Sequence, residues 1–168
     1  MITYQRLDIP GFRAFVCNGV LGDQYVLDID DGLVKETDPY IAITVDGKVE
    51  LSSDAYPEPW YRVAGNTSLS YPYGHPKVGK LLHVVQSETY RYYCISDPGL
   101  RKLEAQEVRL VAGQSVRFPV GWILFVASGE VALAGTPLAT PGYVDAVESD
   151  ATVTAVSDVL AVCIKRFA

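Results

Sequence analysis

Two histidines, three cysteines and a run of tyrosines are the side chains of this 168-residue chain whose types suit chemistry. A nucleophilic cysteine needs a base beside it, and the imidazoles on offer are His75 and His83. His75 sits between Gly74 and Pro76, a loop pattern, while His83 falls in the strand-like run Leu81–Gln86. Cys17, Cys94 and Cys163 form no C-x-x-C pair, and Cys163 lies inside the apolar run Val159–Ile164. They read as reduced, buried, small hydrophobes. Asp28 and Asp30 alternate onto one face of an extended segment. Gly32 is fifth rather than sixth counted from Asp28 and no Glu closes the loop, so calcium is not expected there. The chain has no Gly-rich phosphate loop and no G-x-S-x-G elbow. No catalytic residue, metal ligand or cofactor is assigned.

The residues best suited to recognition are aromatic. Tyr56, Trp60, Tyr61, Tyr71, Tyr73 and His75 fall in one stretch rich in Pro and Gly. Tyr and Trp are rigid and amphipathic, which suits them to contact surfaces. These six are the candidate binding residues. Trp60, Tyr90 and Tyr92 also suit stacking on sugar rings or bases, whereas Tyr93, on an alternating strand, suits a core.

The elements that must position them are strands. No amphipathic helix is legible; short apolar segments alternate with Gly, Pro, Asp and Ser, an all-β pattern. Ile41–Val45, Asp46-Gly47 and Lys48–Leu51 read as a hairpin on a type I′ turn. Asp30-Asp31-Gly32 and Asp97-Pro98-Gly99 read as turns, with one helical turn near Pro98–Leu103. Proline removes ladder donors, so residues 52–80 read as long loops with one or two short edge strands. Strands are expected at Leu81–Gln86, Thr89–Ile95, Ala105–Val111, Ser115–Phe118, Trp122–Ala127, Glu130–Leu133, Thr152–Ala155 and Val159–Ile164. The loop segment divides the chain into an N-terminal β region, residues 1–79, and a C-terminal barrel, residues 80–168.

Composition excludes several partners. The net charge is −6, a poor match for a phosphate backbone, so nucleic acid is not expected. No apolar run approaches the roughly 20 residues of a membrane-spanning helix. The first residues carry no apolar signal core, which leads us to expect a cytoplasmic protein and an unmodified Asn66-Thr67-Ser68.

The segment Gly113-Gln-Ser-Val-Arg-Phe-Pro119-Val-Gly121, followed by Phe125-Val-x-x-Gly129-Glu-Val131, resembles the cupin superfamily of small jelly-roll barrels. The closing strands, Thr152–Ile164, fit the same pattern. The resemblance implies a cupin-like jelly roll in the C-terminal half. Metal-binding cupins carry His-x-His and Glu in a first motif and His in a second. Here Pro119 and Gly121, or Leu124 in the alternative register, stand where imidazoles would be. The resemblance therefore implies a barrel without the metal-binding histidines.

The compact, helix-poor style resembles small bacteriophage virion proteins. The leading expectation is a non-enzymatic assembly protein, a decoration or head-tail component that self-associates or meets a protein partner through its aromatic loops. It would then reside in a virion if phage-encoded. A carbohydrate or small-molecule binding module is the first alternative. A metal-dependent cupin-type isomerase or dioxygenase is the second.

Overall fold

The computed structural model describes residues 3–26, 40–53, 56–64, 67–71, 81–96 and 103–166, and every regular element among them is a strand. The chain falls into two compact units, Met1–Leu103 and Glu104–Ala168.

The first unit contains β1 (Thr3–Ile9), β2 (Phe12–Val20), β3 (Gln24–Val26), β4 (Tyr40–Asp46), β5 (Lys48–Ser53), β6 (Tyr56–Ala64), β7 (Thr67–Tyr71), β8 (Leu81–Val85) and β9 (Thr89–Ser96). They form two antiparallel sheets, ordered β1-β2-β9-β4-β7 and β3-β8-β5-β6. The second unit contains β10 (Ala105–Leu110), β11 (Ser115–Phe118), β12 (Trp122–Ser128), β13 (Val131–Leu133), β14 (Thr136–Pro137), β15 (Gly142–Asp145), β16 (Ala151–Ala155) and β17 (Val159–Lys165). Its sheets run β10-β17-β12-β15 and β11-β16-β13-β14.

In the second unit the first strand pairs with the last, the second with the next to last, and so inward to β13–β14. A long hairpin folded over in this way into two sheets is a jelly roll. The first unit repeats the scheme without change: β2 with β9, β3 with β8, β4 with β7, β5 with β6, and β1 added beside β2. The N-terminal β region is therefore a second jelly roll of identical strand order. The unit boundary falls at Leu103/Glu104 rather than near residue 80, because β8 and β9 close the first roll.

The same turn devices recur in both rolls. The side chains of Asp23 and Gln114 accept from the N–H of Val20 and Val111, three residues upstream, at 2.9 and 3.0 Å. Gly22 and Gly113 donate to the carbonyls of Val85 and Ala155. Ser87 and Ser157 hydroxyls accept from the N–H of Lys48 and Glu130. At Asp46-Gly47 the expected hairpin is instead a corner: β4 and β5 belong to different sheets. The ladder β4–β9 shifts register between Thr44 and Asp46, as β12–β17 does between Val126 and Ser128. The bulge turns the strand, and the next residue, Gly47 or Gly129, takes a positive φ of 84° or 83°. A Cβ there would lie 2.1 Å from the Thr89 carbonyl oxygen, or 2.0 Å from that of Asp158. Only glycine fits so close an approach.

Residues 56–71 supply edge strands, β6 to one sheet and β7 to the other. Ser53 pairs with Tyr56 and Leu51 with Tyr61, so Pro57-Glu58-Pro59-Trp60 bulges out opposite Ser52. The prolines thus occupy the part of an edge strand that needs no donor. The expected turns at Asp30-Asp31-Gly32 and Asp97-Pro98-Gly99, the Asp28/Asp30 pair, and most of the expected helical turn lie outside the described residues.

These corners predict a graded response. Gly129→Ala meets backbone as well as an unfavourable φ, whereas Gly135→Ala, at φ 80°, has nothing within 4 Å. The second substitution is expected to cost about 1 kcal/mol. The first should cost at least ~2 kcal/mol more. Urea denaturation of the two variants compares them directly; equal losses would contradict the corner.

Candidate functional site

The aromatic candidates are dispersed over the first roll. Tyr56, Trp60 and Tyr61 lie on β6 and Tyr71 ends β7, in opposite sheets, with Tyr71 paired to Tyr40. Tyr73 and His75 lie outside the described residues. Backbone register places Tyr61 in one row with Leu51, His83 and Tyr25, across β6, β5, β8 and β3.

Sequence reasoning missed the contrast between the interiors of the two rolls. In the second roll the two sheets close on an apolar, largely aliphatic core that includes Phe118, Leu124, Val126, Val153, Val159 and Ala161. Leu124 is fully buried, and Pro119 and Gly121 flank the turn between β11 and β12. The shared turns and bulges give each of these positions a counterpart in the first roll. Thr44 precedes the bulge as Val126 does, and their partners are Tyr92 and Ala161. Two residues back along the strands stand Tyr90 and Val159; two residues forward, Cys94 and Cys163. In the facing sheet the row Tyr25, His83, Leu51, Tyr61 matches Val116, Val153, Leu133, Thr136.

Several positions that are aliphatic in the second roll, Val126, Val159 and Ala161 among them, are thus polar or aromatic in the first. Tyr90 and Tyr92 stack with centroids 6.1 Å apart and planes at 21°, and Phe15 tilts against Tyr92 at 6.3 Å. Tyr90, Tyr92 and Thr44 are all buried. The Thr44 hydroxyl has no hydrogen-bond partner among the described residues. Ser96, also buried, donates at 3.4 Å to the Arg13 carbonyl. The internal repeat was the signal that could have exposed this contrast: Tyr93-Cys94-Ile95 against Val162-Cys163-Ile164, and Val20-x-Gly-Asp23 against Val111-x-Gly-Gln114.

All three cysteines are buried and outside any disulfide, as small hydrophobes would be. Burial pushes the Cys163 thiol up to about 11. Burial, with a smaller contribution from the Asp23 charge, pushes Cys17 up to about 12. Both are protonated near neutrality and suit neither nucleophilic attack nor metal ligation. Burial also raises the Tyr93 phenol, against the opposing effect of Arg91. The Val20 N–H holds the Asp23 carboxyl below its ordinary value.

A bound metal needs three or four ligands. The second roll's core offers only the Cys163 thiol, and no group of three His, Cys, Asp or Glu side chains is present among the described residues. The described donors do not fit a metal centre.

No family model and no curated protein matches this chain. Solved structures do. The chain is similar to a cupin 2 conserved barrel domain protein from Leptotrichia buccalis, with 9% identity, a TM-score of 0.58, and coverage of 99% of this chain and 89% of that one. The fold is cupin-like. HutD from Pseudomonas fluorescens SBW25 aligns over 100% of both chains with 10% identity and a TM-score of 0.63. A salicylate 1,2-dioxygenase from Pseudaminobacter salicylatoxidans covers 96% of this chain and 75% of its own, with 11% identity and a TM-score of 0.59. The cupin-like pattern read in the C-terminal half thus extends to both rolls. None of these three descriptions is of a virion protein, and the phage assembly reading gains no support from them.

Two outcomes follow for stability. Thr44→Val places in the first roll the residue that its counterpart Val126 already is. Removing an unpartnered buried hydroxyl is expected to raise stability by about 1 kcal/mol in chemical denaturation. A loss of stability would show that the hydroxyl has a partner. The raised thiols set a pH dependence. Below about pH 9 the thiols are protonated in both folded and unfolded chains, and their contribution is complete. Above it the unfolded thiols ionise while the folded ones do not, so that contribution is lost as pH rises through about 11 and 12. Replacing Cys17 and Cys163 with Ala should flatten this alkaline decline relative to wild type.

Proposed function

We propose that this protein binds a small molecule, with the interior of the N-terminal roll as the ligand chamber and the C-terminal roll as scaffold. The observation that carries this reading is the divergence of two rolls with one strand order. Where the second places Val126, Val159 and Ala161, the first places Thr44, Tyr90 and Tyr92. A core needs no hydroxyl, and an unpartnered one costs about 1–3 kcal/mol. Unsatisfied buried groups in native proteins call for a reason, and a ligand that completes the hydrogen bond supplies one. Tyrosine rings add flat apolar faces for it to pack against.

Hydrogen exchange of the full chain against a library of sugars, nucleosides, organic acids and phenols tests this. A ligand at 100 times its dissociation constant should add about 2.7 kcal/mol to stability. Slowed exchange is expected in β2, β4 and β9. Protection confined to β12 and β17, or no protection from any compound, would overturn the assignment.

A further inference from the structure

We infer that β1 is a docking edge for a second copy of this chain, the two strands lying antiparallel about a twofold axis at Leu7. The contact is independent of the chamber, since it concerns the margin of a sheet rather than an interior. Its surface is also not the aromatic segment singled out in the sequence. The jelly-roll scheme does not require β1. The second roll closes with β10 as its first strand, and among the described residues no strand stands beside β10 as β1 stands beside β2. What β1 does is carry the margin of its five-stranded sheet outward. Thr3 and Gln5 on one face and Arg6 and Asp8 on the other are exposed, and Leu7 is half-buried.

The ladder sets which backbone groups face that margin. Ile9 and Phe12 flank the two-residue turn Pro10-Gly11, so they exchange both main-chain bonds, as then do Leu7 with Ala14 and Gln5 with Val16. The second roll gives the same phase. Lys165 donates to the Glu104 carbonyl, which makes Val108 and Ala161 a reciprocal pair, and their counterparts are Cys17 and Tyr92. β2 thus turns Ala14 and Val16 to β1, and the N–H and C=O of Arg6 and Asp8 face the open margin. A twofold axis at Leu7 sets Arg6 opposite the partner's Asp8, and Asp8 opposite the partner's Arg6. Both pairs are reciprocally hydrogen-bonded, and both join opposite charges. Leu7 meets its own copy in the non-hydrogen-bonded position, where side chains come closest. Moving the axis one residue either way would put Arg6 or Asp8 against its own copy, a like-charge pair, so charge selects the register. On β2, Asp8 lies opposite Arg13 but Arg6 lies opposite Phe15, and the partner's carboxylate brings Arg6 the cross-strand charge that β2 does not. Pro10, which has no N–H, ends the contact on that side. A strand pair this short buries less than the roughly 1,200 Å² of a standard interface, so a micromolar dimer is expected.

Sedimentation equilibrium of the full chain from about 10 μM to about 1 mM reads the association, and amide exchange by NMR at both ends of that range locates it. The Arg6 and Asp8 amides, which face the margin, should exchange more slowly at the higher concentration. The Leu7 amide, already bonded to β2, should not change. Arg6→Asp puts like charges in both pairs and should weaken association by at least about tenfold, as should Asp8→Arg. The double variant Arg6→Asp/Asp8→Arg restores opposite charges and should associate within about threefold of wild type. Thermal melting shows whether the variants are folded, and the wild-type exchange pattern decides the matter if one is not. A monomer throughout the range, slowing at β10 or another strand in place of β1, a single reversal that leaves association unchanged, or a double variant no tighter than the single ones would each overturn the inference.

Discussion

At Gly47 and Gly129 a backbone carbonyl occupies the space where any other residue would carry its Cβ. Much of the molecule depends on that contact. It lets the strand leave one sheet for the other within one or two residues, directly after a bulge. The serine hydroxyls of the facing loop then cap the N–H that the corner exposes. With the corner in place, the strands that follow can only return beside those that came before, and first-with-last pairing results in each roll.

A frame held by turns and ladder bonds leaves its interior free to vary. The C-terminal roll fills that interior with apolar, mostly aliphatic side chains. The N-terminal roll keeps the same ladders but carries threonine and tyrosines in three of the equivalent places. Cys94 and Cys163, which hold matching places, show how far the equivalence reaches. Two copies of one architecture thus share their ladders and differ in what fills them.

Most strands were legible because short apolar runs end at Gly, Pro, Asp and Ser. Ser115–Phe118 matches its expected bounds, and Trp122–Ala127 and Val159–Ile164 each extend by one residue. Asp46-Gly47 misled because a positive-φ glycine serves a sheet-crossing corner as well as a tight hairpin, and nothing local separates the two. The first roll escaped notice because β6 carries two prolines, which argue against a regular strand. Thr44 could not stand out at all. A threonine on a strand is ordinary until register shows that its counterpart is Val126.

The bulge on β6 has a consequence for how copies of this chain meet. An exposed sheet margin with free donors and acceptors invites another strand to dock, the first step toward polymerisation. Pro57 and Pro59 withhold two donors, and the bulge they occupy breaks the straight line a second strand would have to follow. The margin of that sheet is thus a poor template for cross-β growth, and a concentrated solution of the protein is protected there by its own irregularity.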